Sequence, residues 1–148
     1  MGIAHSRTIE ILLVEDNPGD IRLTQEILKE MVVPFRLSVV RDGEEAMAFL
    51  RRQEAHRQAP QPDLILLDLN LPRKNGREVL TEIKQDPALQ RIPVLVMTSS
   101  RDESDIVRAF DLHPDSYLVK PFGLQEASSV ARSIESFCLR VVEALPAG

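Results

Sequence analysis

Short, unbroken apolar runs alternate along the chain with stretches whose apolar residues recur at helical spacing. The clearest run is Leu64–Leu67, set between Pro62-Asp63 and Asn70-Leu71-Pro72. That is the pattern of a strand buried on both faces, as in a parallel sheet covered by helices. Ile9 with Ile11–Val14, and Ile92–Met97, repeat it. Phe35, Leu37 and Val39 alternate with polar residues, which predicts an edge strand, and Tyr117–Val119 reads as a last short one. Between the runs, Asn17 is suited to cap a helix with Pro18 at its first position and Leu23, Ile27, Leu28 and Met31 on its stripe. Asp42 and Glu45 approximate a capping box ahead of Ala46, Phe49 and Leu50. The polar stretch from Arg51 to Gln61 reads as a helix end and loop. Asn75-Gly76 lead into a helix with Val79, Leu80 and Ile83 inward, stopped at Asp86-Pro87. Asp102 can cap a helix carrying Ile106, Ala109 and Phe110, and a final helix is expected from about Leu124 to Leu145. A strand followed by a helix, five times over, predicts a doubly wound α/β fold.

The composition narrows the class. With 148 residues the chain is expected to form one domain, with its core from about residue 9 to 135. A formal net charge of −5 argues against general nucleic-acid binding, which needs a basic surface. No apolar run approaches membrane-spanning length and no secretory signal is present, so no membrane is expected. A single cysteine, Cys138, excludes an internal disulfide and fits a reducing cytoplasm. Met1-Gly2 with Ser6 formally matches a myristoylation signal, but an ordinary N-terminus is the simpler reading.

Four of the five strands end in a reactive polar group: Glu15 and Asp16, Asp68, Thr98 and Lys120. In a parallel sheet these ends share one rim, the edge at which open α/β sheets bind ligands. Each residue has a plain structural explanation: Glu15 and Asp16 as helix caps, Asp68 as a turn former, Thr98 bonded to nearby backbone, Lys120 solvated. Their agreement on one rim favours a site. Three crowded carboxylates repel one another, and their natural partner is a hard divalent cation such as Mg²⁺. Acid, cation, hydroxyl and ammonium together suit phosphoryl transfer, with Asp68 as the nucleophile that forms an acyl phosphate.

The ordered set LLVEDNP, PDLILLDLNLP, Asn75-Gly76, VLVMTSS and YLVKP resembles the receiver domains of two-component response regulators, over about Ile9 to Glu135. The resemblance implies a flavodoxin-like five-stranded sheet in the order 2-1-3-4-5. It implies that Asp68 accepts a phosphoryl group from a sensor histidine kinase. It implies Mg²⁺ held by Asp16, Asp68 and the backbone carbonyl of Asn70, with Glu15 helping through water. Thr98 would bond a phosphoryl oxygen, Lys120 would pair with it, and the Tyr117 ring would move inward as Thr98 is drawn to the phosphate. The long polar stretch between Phe49 and Pro62 and the DLNLP ending are similar to stand-alone regulators that partner bacterial phytochromes. Since the sequence stops at Gly148 with no output domain, the expected output is protein contact or phosphorelay, and no other enzyme activity.

Three rival functions are weighed against this one. A Mg²⁺-dependent phosphatase of the haloacid-dehalogenase type needs a second acid two residues after the nucleophile, where Asn70 stands. A flavin-binding module needs small or hydroxyl residues after the first strand, where Glu15 and Asp16 would repel a phosphate. A scaffold receiver that is never phosphorylated stays open, opposed only by the intact acid, Thr98 and Lys120 set.

The last helix carries a second expectation. Ala127, Val130, Ala131, Ile134, Phe137, Cys138, Val141, Val142 and Leu145 recur at helical spacing. A helix of roughly 22 residues spans about 33 Å, whereas strands of about five or six residues span roughly 17–20 Å. The stripe from about Phe137 onward should then overhang the sheet and form a homodimer interface through Phe137, Val141, Val142 and Leu145. The face ending in this element commonly dimerises in the resembled family. The alternative is that this end frays or folds back, with Pro146 as its stop.

Overall fold

The apolar runs line up side by side. The computed structural model describes residues 8–53, 56–69, 71, 74–98, 117–119 and 127–144, with 98, 117–119 and 141–144 as backbone alone. Five strands, β1 (Ile9–Val14), β2 (Phe35–Val40), β3 (Leu64–Asp68), β4 (Val94–Thr98) and β5 (Tyr117–Val119), form one parallel sheet in the order β2-β1-β3-β4-β5. This is the expected flavodoxin-like order. Every residue of β3 is buried, as an unbroken apolar run at the centre of a covered sheet should be. The alternating β2 lies at the edge and is only partly covered.

Successive residues of β1, β3 and β4 enter opposite layers. Leu12, Val14, Ile65, Leu67 and Val96 meet Phe49 and Leu50 of helix α2 (Gly43–Leu50) and Val79, Leu80 and Ile83 of α3 (Gly76–Gln85). Ile11, Leu13, Leu64, Leu66 and Leu95 meet Ile21, Ile27 and Leu28 of α1 (Pro18–Leu28) and Ala131, Ile134 and Cys138 of α4 (Ala127–Ala144). The expected helix after Asp102 and the expected start at Leu124 lie outside the described residues. Among the described residues no helix is long and apolar enough to cross a membrane.

The caps follow the sequence closely. Asn17 Oδ1 accepts from Asp20 N at 3.0 Å, with Pro18 opening α1, and Asp42 Oδ1 accepts from Glu45 N at 2.8 Å. α3 carries a reciprocal box that the turn reading of Asn75-Gly76 did not include. Asn75 Oδ1 accepts from Glu78 N at 3.0 Å, and Glu78 Oε1 accepts from Asn75 N at 3.4 Å. β4 departs from expectation, starting at Val94 rather than Ile92. The Ile92 amide instead closes a turn on Leu89 O at 2.9 Å, and Pro93 has no N–H to give the ladder.

The overhang expected from about Phe137 does not begin at Phe137 or Cys138, and the side chains of its outer part, from 141 on, lie outside the described residues. Cys138 is buried in the α1/α4 layer and Phe137 packs against it. Strand length alone underestimates the cover, because α4 also lies against α1 and the corner that follows it. There Glu135 accepts from Val32 N at 2.6 Å and Val33 N at 2.8 Å, with Arg132 Nη1 3.4 Å away. Burial, and then the nearby Glu135 and Asp63 charges, push the Cys138 thiol up to about 12.

Candidate functional site

The sheet register builds the site. Val14 of β1 stands opposite Leu67 of β3, so the next residues, Glu15 and Asp68, leave adjacent strands at the same height. Glu15 N donates to Val40 O at 3.0 Å, which prolongs the β1–β2 ladder through the acid. Carboxylate oxygens of Glu15, Asp16 and Asp68 all lie within 4.8 Å of one another. Glu15 is 0% and Asp68 4% exposed. Two ionised carboxylates at such a spacing repel by on the order of 3 kcal/mol at an effective dielectric of about 20. Glu15 Oε2 also accepts from Asn17 N at 3.3 Å, so the acid is oriented by the backbone that enters α1.

An all-carboxylate oxygen set fits a hard cation such as Mg²⁺ or Mn²⁺ better than zinc, which favours nitrogen and sulfur ligands. The three acids therefore meet the donor chemistry of the expected metal.

Two glycines hold the surroundings close. A Cβ on Gly76 would stand 2.4 Å from the Asp68 carbonyl oxygen and 2.4 Å from Leu69 Cα. Its amide donates to Leu69 O at 3.1 Å, so α3 begins in contact with the strand end. A Cβ on Gly43 would stand 1.9 Å from Lys74 O, which seats α2 against the chain leading into α3. Asn75-Gly76 was legible as a turn. The need for a missing side chain at Gly43 was not, because its obstacle lies 31 positions away in the sequence.

The remaining expected residues divide into two groups. Thr98 ends β4, one position beyond Met97, the register partner of Asp68, and so belongs to the same rim. Tyr117 opens β5 opposite Val96, and Thr98 pairs with Val119. Asn70, Lys120 and Leu145 lie outside the described residues, while Val141 and Val142 lie within α4.

A parallel five-stranded sheet with an acid cluster at its carboxyl rim defines a class. The chain matches the response regulator receiver domain over residues 11–132 and belongs to that family. Particular proteins lie near it. The chain is 51% identical to response regulator Rcp1 of Synechocystis sp. over 137 residues, 93% of this chain and 92% of Rcp1. It also matches the structure of the phosphorylated cyanobacterial phytochrome response regulator RcpA. There the TM-score is 0.80 at 51% identity, covering 90% of this chain and 95% of that one. The Mn²⁺-bound form of Rcp1 matches with a TM-score of 0.80 at 50% identity, over 94% and 99% of the two chains.

Proposed function

We propose that Asp68 is the phosphoacceptor of this receiver and takes its phosphoryl group from a sensor histidine kinase. The observation that carries the reading is the trio Glu15, Asp16 and Asp68, within 4.8 Å of one another where two neighbouring strands end. An Asp68 carboxylate oxygen forms the new P–O bond as the P–N bond to the kinase histidine breaks. The imidazole leaves with the electron pair and takes up a proton. Asp16, Asp68 and the Asn70 carbonyl would hold Mg²⁺, with Glu15 acting through water, and the cation would supply positive charge against the crowded acids. The Thr98 hydroxyl donates to a phosphoryl oxygen and the Lys120 ammonium pairs with it. The Tyr117 ring follows Thr98 inward, carrying the change to a partner-binding surface. Rcp1 with bound Mn²⁺ and phosphorylated RcpA support both the metal and the modification.

RcpA is a phytochrome response regulator, which favours a phytochrome as the kinase. The chain then works in the cytoplasm as a single receiver domain, and its output is protein contact or phosphorelay. It is a homodimer through the outer end of α4, with Val141, Val142 and Leu145 at the interface and Phe137 at its inner edge. Acetyl phosphate with Mg²⁺, followed by intact mass measurement, tests the central reading. One added phosphoryl group per chain is expected. A wild-type protein that never gains it would leave only the scaffold reading.

A further inference from the structure

The chain that leaves Asp68 doubles back on it. Gly76 N donates to Leu69 O at 3.1 Å, and the Gly76 Cα rests against the Asp68 carbonyl. Two residues before Gly76, Lys74 is held from two sides. Its carbonyl oxygen lies against the Cα of Gly43, at the start of α2. Its ammonium meets Glu82 Oε2, about two turns into α3. Both side chains are 27% exposed, so the pair is half sheltered rather than freely solvated. Glu82 Oε1 takes a second cation, Arg51 Nη1 at 3.3 Å, from the end of α2. Arg51 Nε is in turn 3.6 Å from Asp86 Oδ2. One carboxylate is thus shared between a cation that braces the site and a cation that ties α2 to α3. Ion pairs of this exposure contribute little to folding, and both apolar layers close without them. What the Lys74 arm does fix is the backbone of residues 74–76, which touches the strand end carrying Asp68.

We propose that Glu82 is a positioning residue of the phosphoacceptor site. Holding Lys74, it keeps residues 74–76 seated on the end of β3 and so fixes Asp68 relative to Glu15 and Asp16. The Arg51 arm of the same carboxylate serves helix packing alone. This rests on the reading of Asp68 as phosphoacceptor, but its first readout is independent of phosphorylation.

The test compares wild type, Glu82→Gln, Lys74→Met, Lys74→Arg and Arg51→Met. Mn²⁺ binding is followed by electron paramagnetic resonance, Tm by calorimetry, and acetyl phosphate labelling at saturating Mn²⁺ by intact mass. Glu82 and Lys74 act on the acids only through the backbone, and a part-exposed ion pair is weak, so Glu82→Gln and Lys74→Met should raise the Mn²⁺ Kd by about two- to fivefold. Labelling should recover at saturating Mn²⁺, which assigns the loss to metal affinity. Lys74→Arg keeps the cation and should keep the Kd. Arg51→Met should lower Tm slightly and leave the Kd unchanged. A wild-type Kd in Glu82→Gln overturns the proposal, as does an Arg51→Met protein that loses as much affinity as Glu82→Gln. A wild type that binds Mn²⁺ but never gains a phosphoryl group overturns the phosphoacceptor reading instead, and the brace is then judged on the Kd alone.

Discussion

Glu135 and the rim acids Glu15 and Asp68 are buried to a similar depth, with 8%, 0% and 4% of their surface exposed. Their surroundings differ. Glu135 accepts two backbone amides, at 2.6 Å and 2.8 Å, and faces Arg132. Glu15 accepts one amide, from Asn17 at 3.3 Å, and its carboxylate also stands with those of Asp68 and Asp16, all within 4.8 Å. A carboxylate met by fixed donors strengthens a fold, because those donors are satisfied where water is scarce. Carboxylates crowded together weaken it. The contrast separates an acid that builds the molecule from the acids of the proposed site.

The largest effect expected is on labelling. Asp68→Asn should abolish the acetyl phosphate label, with intact mass as the measurement, while folding stability holds or rises by about 1 kcal/mol as repulsion is relieved. A mutant labelled at the wild-type rate would break the contrast at the rim. Glu135→Ala should do the reverse, keeping the label but losing about 3 kcal/mol as two amides lose their acceptor. Urea unfolding at constant m-value reads this, and an unchanged midpoint would remove Glu135 from the structural side. Mg²⁺ sharpens the comparison further. At about a hundred times its Kd it should stabilise the wild type by about 2.7 kcal/mol. Asp68→Asn should gain much less, and Glu135→Ala should gain the full amount.

The smallest effect concerns Cys138, beside Glu135. Folded, its thiol stays protonated up to about 12, whereas its ordinary value is 9.0. Above that ordinary value the unfolded chain binds fewer protons than the folded one, so stability falls as pH rises. The contribution is whole at neutral pH, and about 1 kcal/mol should be lost by about pH 10. In Cys138→Ala this part of the alkaline decline should vanish from urea midpoints measured between about pH 8 and about pH 10.

Much of this was legible in the chain itself, for reasons that differ by residue. Leu64–Leu67 followed by Asp68 declares a buried strand and the end at which it leaves the core, because an acid tolerates only the exit from such a core. Asn17-Pro18 and Asp42 declare helix starts, because a cap needs only its near neighbours. Glu135 gave no such signal. Its donors are 102 and 103 positions away and belong to the backbone, so no spacing in the sequence marks them. The hold of Phe137 on the core was hidden likewise, since it depends on α1 and not on the length of the strands. Ile92 looked like strand because it is apolar, and only the turn closed on Leu89 excludes it.

The bond from Glu135 to the corner after α1 also bears on the order of assembly. It joins positions 103 apart, whereas among the described residues the α2/α3 layer runs from Leu12 to Val96. Closing a longer loop costs more chain entropy before any contact repays it. The α2/α3 half is expected to form first, with α4 docking late. Core substitutions at Leu80 should then slow refolding, while Glu135→Ala should chiefly speed unfolding. A structural acid near the end of the chain would act as a clasp, holding shut a molecule whose rim acids were already in position.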